Sequence, residues 1–310
     1  MSWLYFAILA PIVSSLVSCI DKYLVNSGSI DYRTMPLYSA VTNSILATFA
    51  WAAYSFPVIS GRDTAMTMAV GMIYIVVSVL YFDVLKEVPV SKLLILLQAL
   101  PVMVLGLSAV FLQEDLNVQQ IIGFFVILTA CIGLIQASGL KKPKEQGSGD
   151  LVAEKGIPAI SFIKIMLCNL LWAVAVIILK IVTGHNSVME IYIFQSWGIG
   201  LGGLLLCLAR PDYRKALVKG PASLTSLSFN LLLLDQALSL TGRIISFYAL
   251  RGPVTAVTVL GSTQVFFGIL FGRTLSRVAP RIFMEDTSNR GLLREVLLAL
   301  GMFAGIWLLQ

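Results

Sequence analysis

A chain of 310 residues with 58% hydrophobic and only 12% charged side chains, at a mean hydropathy of +0.89, cannot keep its surface wet. A soluble domain carries about a quarter of its residues as charges, so the length that would otherwise imply a soluble two-domain protein implies a membrane protein here. The net charge of +6 is scattered through short loops and forms no basic patch, which excludes nucleic acid as a partner.

The chain opens Met1-Ser2-Trp3 with no basic n-region, and its first apolar run is longer than the roughly 7–15 residues of a signal h-region. That run is therefore expected to be the first spanning helix, not a cleaved leader. Runs of about 20 apolar residues, the length a spanning helix needs, follow in chain order. They fall at about 3–24, 35–57, 65–85, 90–113 and 117–137, then at about 159–181, 188–209, 227–250, 254–275 and 291–310. Asn26-Ser27-Gly28, Gly61-Arg62-Asp63, Glu114-Asp115 and Arg210-Pro211-Asp212 punctuate them. Continuous apolar runs without dyad alternation predict helices and not a barrel. Cys19, Cys131, Cys168 and Cys207 all lie inside these runs without metal-ligand spacing, and read as small buried hydrophobes.

The polar stretch beginning Lys141-Lys142-Pro143-Lys144-Glu145-Gln146-Gly147-Ser148-Gly149-Asp150 sits at the midpoint and has linker composition. Echoes flank it. Ile20-Asp21-Lys22 is matched by Ile178-Leu179-Lys180, Met35-Pro36-Leu37-Tyr38 by Met189-Glu190-Ile191-Tyr192, and Pro89-Val90-Ser91 by Pro253-Val254-Thr255, at separations of about 154–164 residues. Five helices per half is an odd number, so a second copy would cross the membrane upside down, as in many secondary transporters. The expected fold is an all-α integral membrane protein of ten transmembrane helices in two inverted five-helix repeats. The first repeat would span 1–138, the linker 139–157 and the second repeat 158–310.

Orientation has two indications that disagree. The odd-numbered connections hold Arg33, Lys86, Lys141, Lys142, Lys144, Lys155, Arg210, Arg214, Lys215, Lys219, Arg277, Arg281 and Arg290, against little beyond Arg62 and Arg251 in the even ones. The positive-inside rule then puts the odd loops in the cytoplasm and both termini outside.

The stretch from about Tyr74 to Gln136 carries Phe82, Leu85, Val88-Pro89-Val90-Ser91, Pro101-Val102, Glu114, Gln119-Gln120, Gly123 and Gly133. In that combination it resembles the EamA-type ten-helix members of the drug/metabolite transporter superfamily. In the second half Trp172, Lys180 and Phe247-Tyr248-Ala249-Leu250-Arg251 look like corresponding positions. The second half departs by placing Arg277-Val278 where the counterpart of Glu114 would stand, and by inserting polar residues at about 276–290. The resemblance implies a central cavity lined by the first four helices of each half, a peripheral fifth and tenth, and cytoplasmic termini.

Ionisable side chains inside spanning helices are costly and so point to function. Arg243 and Asp235 both lie in the eighth run, eight residues apart with Ser239 between, roughly on one face and about 12 Å apart along the axis. They are candidate substrate-binding residues, the alternatives being an intramembrane structural pair or, for Asp235, an interfacial position. Gln98, Gln264, Asn43 and Gln195 are neutral polar residues deep in apolar runs, where interhelical hydrogen bonding is the competing account; Asn169 has the same character. Trp172 and Tyr248 are candidate cavity aromatics whose other reading is packing. Lys22 and Lys180 fit either a gate or coupling role or snorkelling to the headgroups. Glu190, one turn into the seventh helix, fits either a coupling acid or a carboxylate favoured by the helix dipole. Pro101 would kink the fourth helix. Gly198-x3-Gly202 and Gly268-x3-Gly272 would pack helices within the monomer, and Gly301-x3-Gly305 would support a homodimer.

These residues predict a secondary active transporter in the cell's inner membrane. It would move a small organic metabolite, anionic or zwitterionic, by alternating access with proton coupling or exchange. The alternatives are a broad drug or amino-acid exporter and a non-transporting membrane scaffold. His185 is the only histidine and no HExxH or GxSxG constellation occurs, so an enzyme is not expected, nor a metal or other cofactor. A channel would show a filter motif or charge rings. The expected partners are a small-molecule substrate and the lipid bilayer.

Overall fold

The computed structural model describes residues 2–26, 30–85, 97, 99–113, 118–119, 121–123, 125–126, 129, 159–219, 225–276, 297, 300 and 304, and among them every regular element is a helix. In chain order these are α1 (Ser2–Asn26), α2 (Thr34–Ala53), α3 (Gly61–Leu85), α4 (Leu100–Phe111), α5 (Ala159–Thr183), α6 (Val188–Ala209), α7 (Pro211–Lys219), α8 (Ser226–Ala249), α9 (Val254–Gly261) and α10 (Gln264–Ser276). Five segments are long and apolar enough to cross a membrane: Trp3–Val25, Gly61–Val84, Ala159–Thr183, Val188–Ala209 and Val254–Gly272. The chain is an integral membrane protein. At about 1.5 Å per residue, the 20-residue α2 and the 24-residue α8 also match the thickness of a hydrocarbon core of about 30 Å.

The first, second, third, sixth, seventh and eighth expected helices are α1, α2, α3, α5, α6 and α8. The expected fifth and tenth helices, the 139–157 linker and the 276–290 insertion fall outside the described residues or touch them at isolated positions; Glu114, Gln98, Cys131, Gly301 and Gly305 are among those left out. The expected ninth helix is not continuous. It stops at Gly261 and restarts at Gln264. The Ser262 N–H is shared between the Thr258 and Val259 carbonyls, and the Thr263 N–H returns to Leu260, the tightening that ends a helix in a 3₁₀-like turn. Thr263 Oγ1 also bonds the Leu260 carbonyl at 2.6 Å, a side-chain competitor for the backbone that the Gly-Ser-Thr sequence supplies. Pro101 sits in the first turn of α4, where the missing N–H costs nothing; most of the expected fourth helix before it lies outside the described residues.

Two antiparallel pairs frame the bundle. Along α1 and α8, Phe6 stacks on Tyr248 at 5.0 Å, a Cβ on Gly242 would lie 3.2 Å from Val13 Cγ1, and Leu24 shares a core with Leu232. Along α3 and α5, Tyr74 meets Trp172 at 6.2 Å, Cys168 Sγ lies 3.8 Å from the Val77 carbonyl, and Lys164 Nζ bonds Asp83 Oδ2 at 2.6 Å. Between the pairs runs α6, whose glycines admit its neighbours closely. A Cβ on Gly198 would collide with the Met68 backbone, and one on Gly71 with the Gln195 carbonyl; one on Gly202 would stand 3.1 Å from Ile75. Gly200 and Gly203 face Ser44 and Ala40 of α2 in the same way. The expectation that Gly198-x3-Gly202 packs within the monomer is met. At Gly268 a Cβ would meet nothing within 4 Å among the described residues, and the expected tenth helix lies almost wholly outside them.

Candidate functional site

Arg243 projects from the C-terminal third of α8 toward α2, α3 and α6. Its Nη1 donates to Asn43 Oδ1 at 3.0 Å. Asn43, only 3% exposed, is held by its own amide donating to the Ser39 carbonyl at 2.7 Å and to Ser39 Oγ at 3.1 Å, so its oxygen is presented to the guanidinium. The Arg243 carbon lies 5.8 Å from the Tyr74 ring centroid, close enough for the aromatic quadrupole to attract the cation. Tyr192 of α6 also stands within its electrostatic reach. Trp172 of α5 backs Tyr74. Side chains of α2, α3 and α6 thus converge on one cation of α8, with α5 behind Tyr74. Among the described residues no carboxylate pairs with it, and α2 and α8 have little other contact.

Along α6, Tyr192, Gln195 and Ser196 lie three and four residues apart and share one face. Both Gln195 amide atoms are buried without a hydrogen-bond partner, and the Tyr192 and Ser196 hydroxyls lie near one another without an aligned bond. Buried polar groups are ordinarily satisfied, so this row of unsatisfied ones, on the helix that brings Tyr192 within electrostatic reach of Arg243, is an exception. A guanidinium has five N–H donors in a planar fork, and one is committed to Asn43. The remainder match a carboxylate or phosphate.

The sequence candidates divide. Arg243 and Asn43 meet directly, Trp172 stands behind Tyr74, and Gln195 lies one turn along α6 from Tyr192. Asp235 lies two turns along α8, 2% exposed, with Oδ2 accepting from Gln236 Nε2 at 3.0 Å. Gln264 sits at the break before α10 and is tied to α1: its Nε2 donates to Ser18 Oγ at 3.1 Å and its carbonyl accepts from Ser15 Oγ at 2.7 Å. Tyr248 is at the end of α8, 37% exposed, between Phe6 and the Arg251 guanidinium. Lys180 turns its ammonium onto the Leu250 and Gly252 carbonyls that close α8, favourable for a cation at a helix C-terminus. Gln98 and the Lys22 side chain lie outside the described part of the chain.

Glu190 forms a capping box with Ser187. The Ser187 N–H donates to Glu190 Oε2 at 2.7 Å, and the Glu190 N–H donates to Ser187 Oγ at 3.2 Å. Glu190→Ala should therefore cost about 1 kcal/mol of stability, and Glu190→Gln, which preserves the box, much less. Thermal unfolding of the purified variants measures this. Equal losses would mean that the charge itself, not the cap, is at work.

Sequence reasoning passed over Tyr74, Tyr192 and Ser196. One signal was available for Tyr192: it echoes Tyr38 in the repeat, and both hydroxyls are buried without an aligned partner.

Comparison with known proteins bears on this arrangement. Residues 1–136 match the EamA-like transporter family. The match is consistent with the drug/metabolite transporter superfamily and covers the EamA-like first half, which contributes Asn43 and Tyr74 to the site. It indicates a membrane transporter of the drug/metabolite kind. Over its whole length the chain is also similar to a solved crystal structure of a protein, at 15% identity and a TM-score of 0.68, covering 100% of this chain and 99% of the other; this likeness is one of fold alone. No curated protein matches.

Proposed function

We propose that the protein is an alternating-access carrier of a small organic anion, a metabolite bearing a carboxylate or phosphate, held at Arg243. The single observation that carries this reading is a guanidinium in the centre of an apolar bundle with no carboxylate counter-charge among the described residues. A charge in such a place costs several kcal/mol, and an anionic guest offsets that cost. Asn43 fixes the fork, Tyr74 flattens one side of it, and Gln195 with Ser196 supplies further polar contacts.

The carrier mechanism follows from an inverted repeat, for which several features speak. Trp3 of α1 abuts Gly252, and Lys180 of α5 reaches the same turn. The N-terminus of α1 and the C-terminus of α5 therefore share one end of the bundle, and these two corresponding helices run in opposite directions. The α1–α8 and α3–α5 pairs exchange under the repeat. Both α4 and α10 start 164 residues apart, at Leu100 and Gln264, the separation of Pro89 and Pro253. The glycine-mediated closure of α3 on α6 has as its counterpart α8 on α2, which here meet chiefly through Arg243 and Asn43. Exchanging the closed and open members of that pair would turn the site to the other side.

A thermal-shift panel of purified protein tests the reading, since a ligand of the native state must raise its apparent stability. Carboxylates and phosphorylated metabolites should stabilise, and neutral and cationic solutes should not. Stabilisation by organic cations alone would overturn the anion assignment.

A further inference from the structure

The pairing of α1 with α8 is antiparallel along its length. Phe6 faces Tyr248, Val13 faces Gly242, and Leu24 lies beside Leu232. The same pairing sets Asp21 opposite Asp235, and the two carboxyls lie within electrostatic range of each other. Both lie on the two helices of a spanning pair, Asp235 buried and Asp21 partly buried. Asp235 Oδ1 has no hydrogen-bond donor, and neither has Oε1 of the adjacent Gln236, although Gln236 Nε2 serves the other carboxylate oxygen. The orphaned atoms are both acceptors. What the place lacks is a proton donor.

The surrounding elements supply no described cation. From α3, Tyr81 stands near Asp21, and Asp83 is paired with Lys164. α2 offers Tyr38 and α1 offers Tyr23, both in the adjoining core. On α8 the next charge is Arg243, two turns away and about 12 Å along the axis, already bonded to Asn43. α9 has no titratable residue, and α6 bears Tyr192, the capping Glu190 and, near its far end, Cys207. Lys22 of α1 and Arg273 of α10 have side chains outside the described part. Two carboxylates facing each other in a medium of low dielectric repel strongly, and a pair of this kind relieves the repulsion by sharing one proton. That proton also gives an orphaned oxygen a donor.

We propose that Asp21 and Asp235 form a proton-binding site that carries the coupling ion of the carrier. The proposal rests on the carrier reading and deepens it. One carboxyl is on the first helix of the first half and the other on the helix that bears Arg243. A shift of α8 against α1 that reopens the anion site separates the carboxyls, and the shared proton then passes to water, leaving two carboxylates.

Infrared difference spectroscopy of the full-length protein in lipid nanodiscs, titrated in pH without any solute, tests this. At about pH 7 the wild type should show the carbonyl stretch of a protonated carboxyl, and the Asp21→Asn/Asp235→Asn double variant should lose it. Each single asparagine variant should move the midpoint at which the band disappears. If the double variant does not fold, the single variants decide, and an unmoved midpoint in both overturns the proposal. So does a wild type without the band, a band unchanged in the double variant, or a band abolished when sodium chloride replaces choline chloride, which would make the place a sodium site. The anion panel reads Arg243 and not the carboxyls, so failure of the carrier reading would show there and failure of the proton site here.

Discussion

Replacing Arg243 with alanine is expected to abolish the thermal stabilisation that anionic metabolites give the wild type, while the unliganded variant stays folded. A ligand present at about 100 times its Kd stabilises its target by about 2.7 kcal/mol, and that increment should vanish. Truncating one partner of a buried charged hydrogen-bonded pair costs about 2–5 kcal/mol, so affinity should fall by roughly 30-fold or more. The unliganded protein has the opposite interest. Its guanidinium is held by one side-chain hydrogen bond at 3.0 Å and one aromatic ring, so removing the charge relieves a desolvation cost. Arg243→Lys should fall between the two, since it keeps the charge and loses the planar fork. Asn43→Ala should weaken binding less than Arg243→Ala, because Asn43 orients the guanidinium and carries no charge. Isothermal titration with a stabilising anion from the panel measures all three, and equal affinities across the set would remove Arg243 from the site.

A methyl group on Gly71 or Gly198 should be among the most damaging small changes in the protein. At both positions the added Cβ would run into backbone: the Gln195 carbonyl for Gly71, and Met68 for Gly198. Backbone cannot rotate away as a side chain can, so α3 and α6 must separate. Overpacking of this kind costs about 1–3 kcal/mol and occasionally more, and here it falls on the crossing that also places Tyr74, Tyr192 and Gln195. Gly71→Ala and Gly198→Ala should lower the melting temperature, and where protein survives they should weaken anion binding. Gly106→Ala and Gly268→Ala provide the contrast, as neither Cβ meets anything within 4 Å among the described residues; alanine in an unobstructed helix is favoured by about 0.5–1 kcal/mol over glycine. If all four variants behaved alike, the α3–α6 crossing would not be set by its glycines.

The spans were legible because a spanning helix announces itself by length and composition, and α1, α3, α5 and α6 begin and end within a few residues of their apolar runs. The break at Ser262-Thr263 was not, because serine and threonine are tolerated in helices and only their backbone bonding there tightens the turn. Arg243 stood out because a guanidinium in an apolar run has no ordinary explanation. Tyr74 and Tyr192 did not, since an aromatic residue in such a run is common and its role comes from the helix opposite. Charge drew notice to Glu190 and Lys180, and the structure engages one in a helix cap and the other with a helix C-terminus. Asp21 stood in the sequence only as part of the Ile20-Asp21-Lys22 echo, and only the α1–α8 register set it against Asp235.

The most direct test of the account is exchange across a membrane. Protein reconstituted into liposomes loaded with the anion that stabilises it best should accumulate the same labelled anion from outside by counterflow, and the Arg243→Ala protein should not. Binding without exchange in the wild type, or exchange that survives loss of Arg243, would contradict the claim that this chain is a carrier working through that residue.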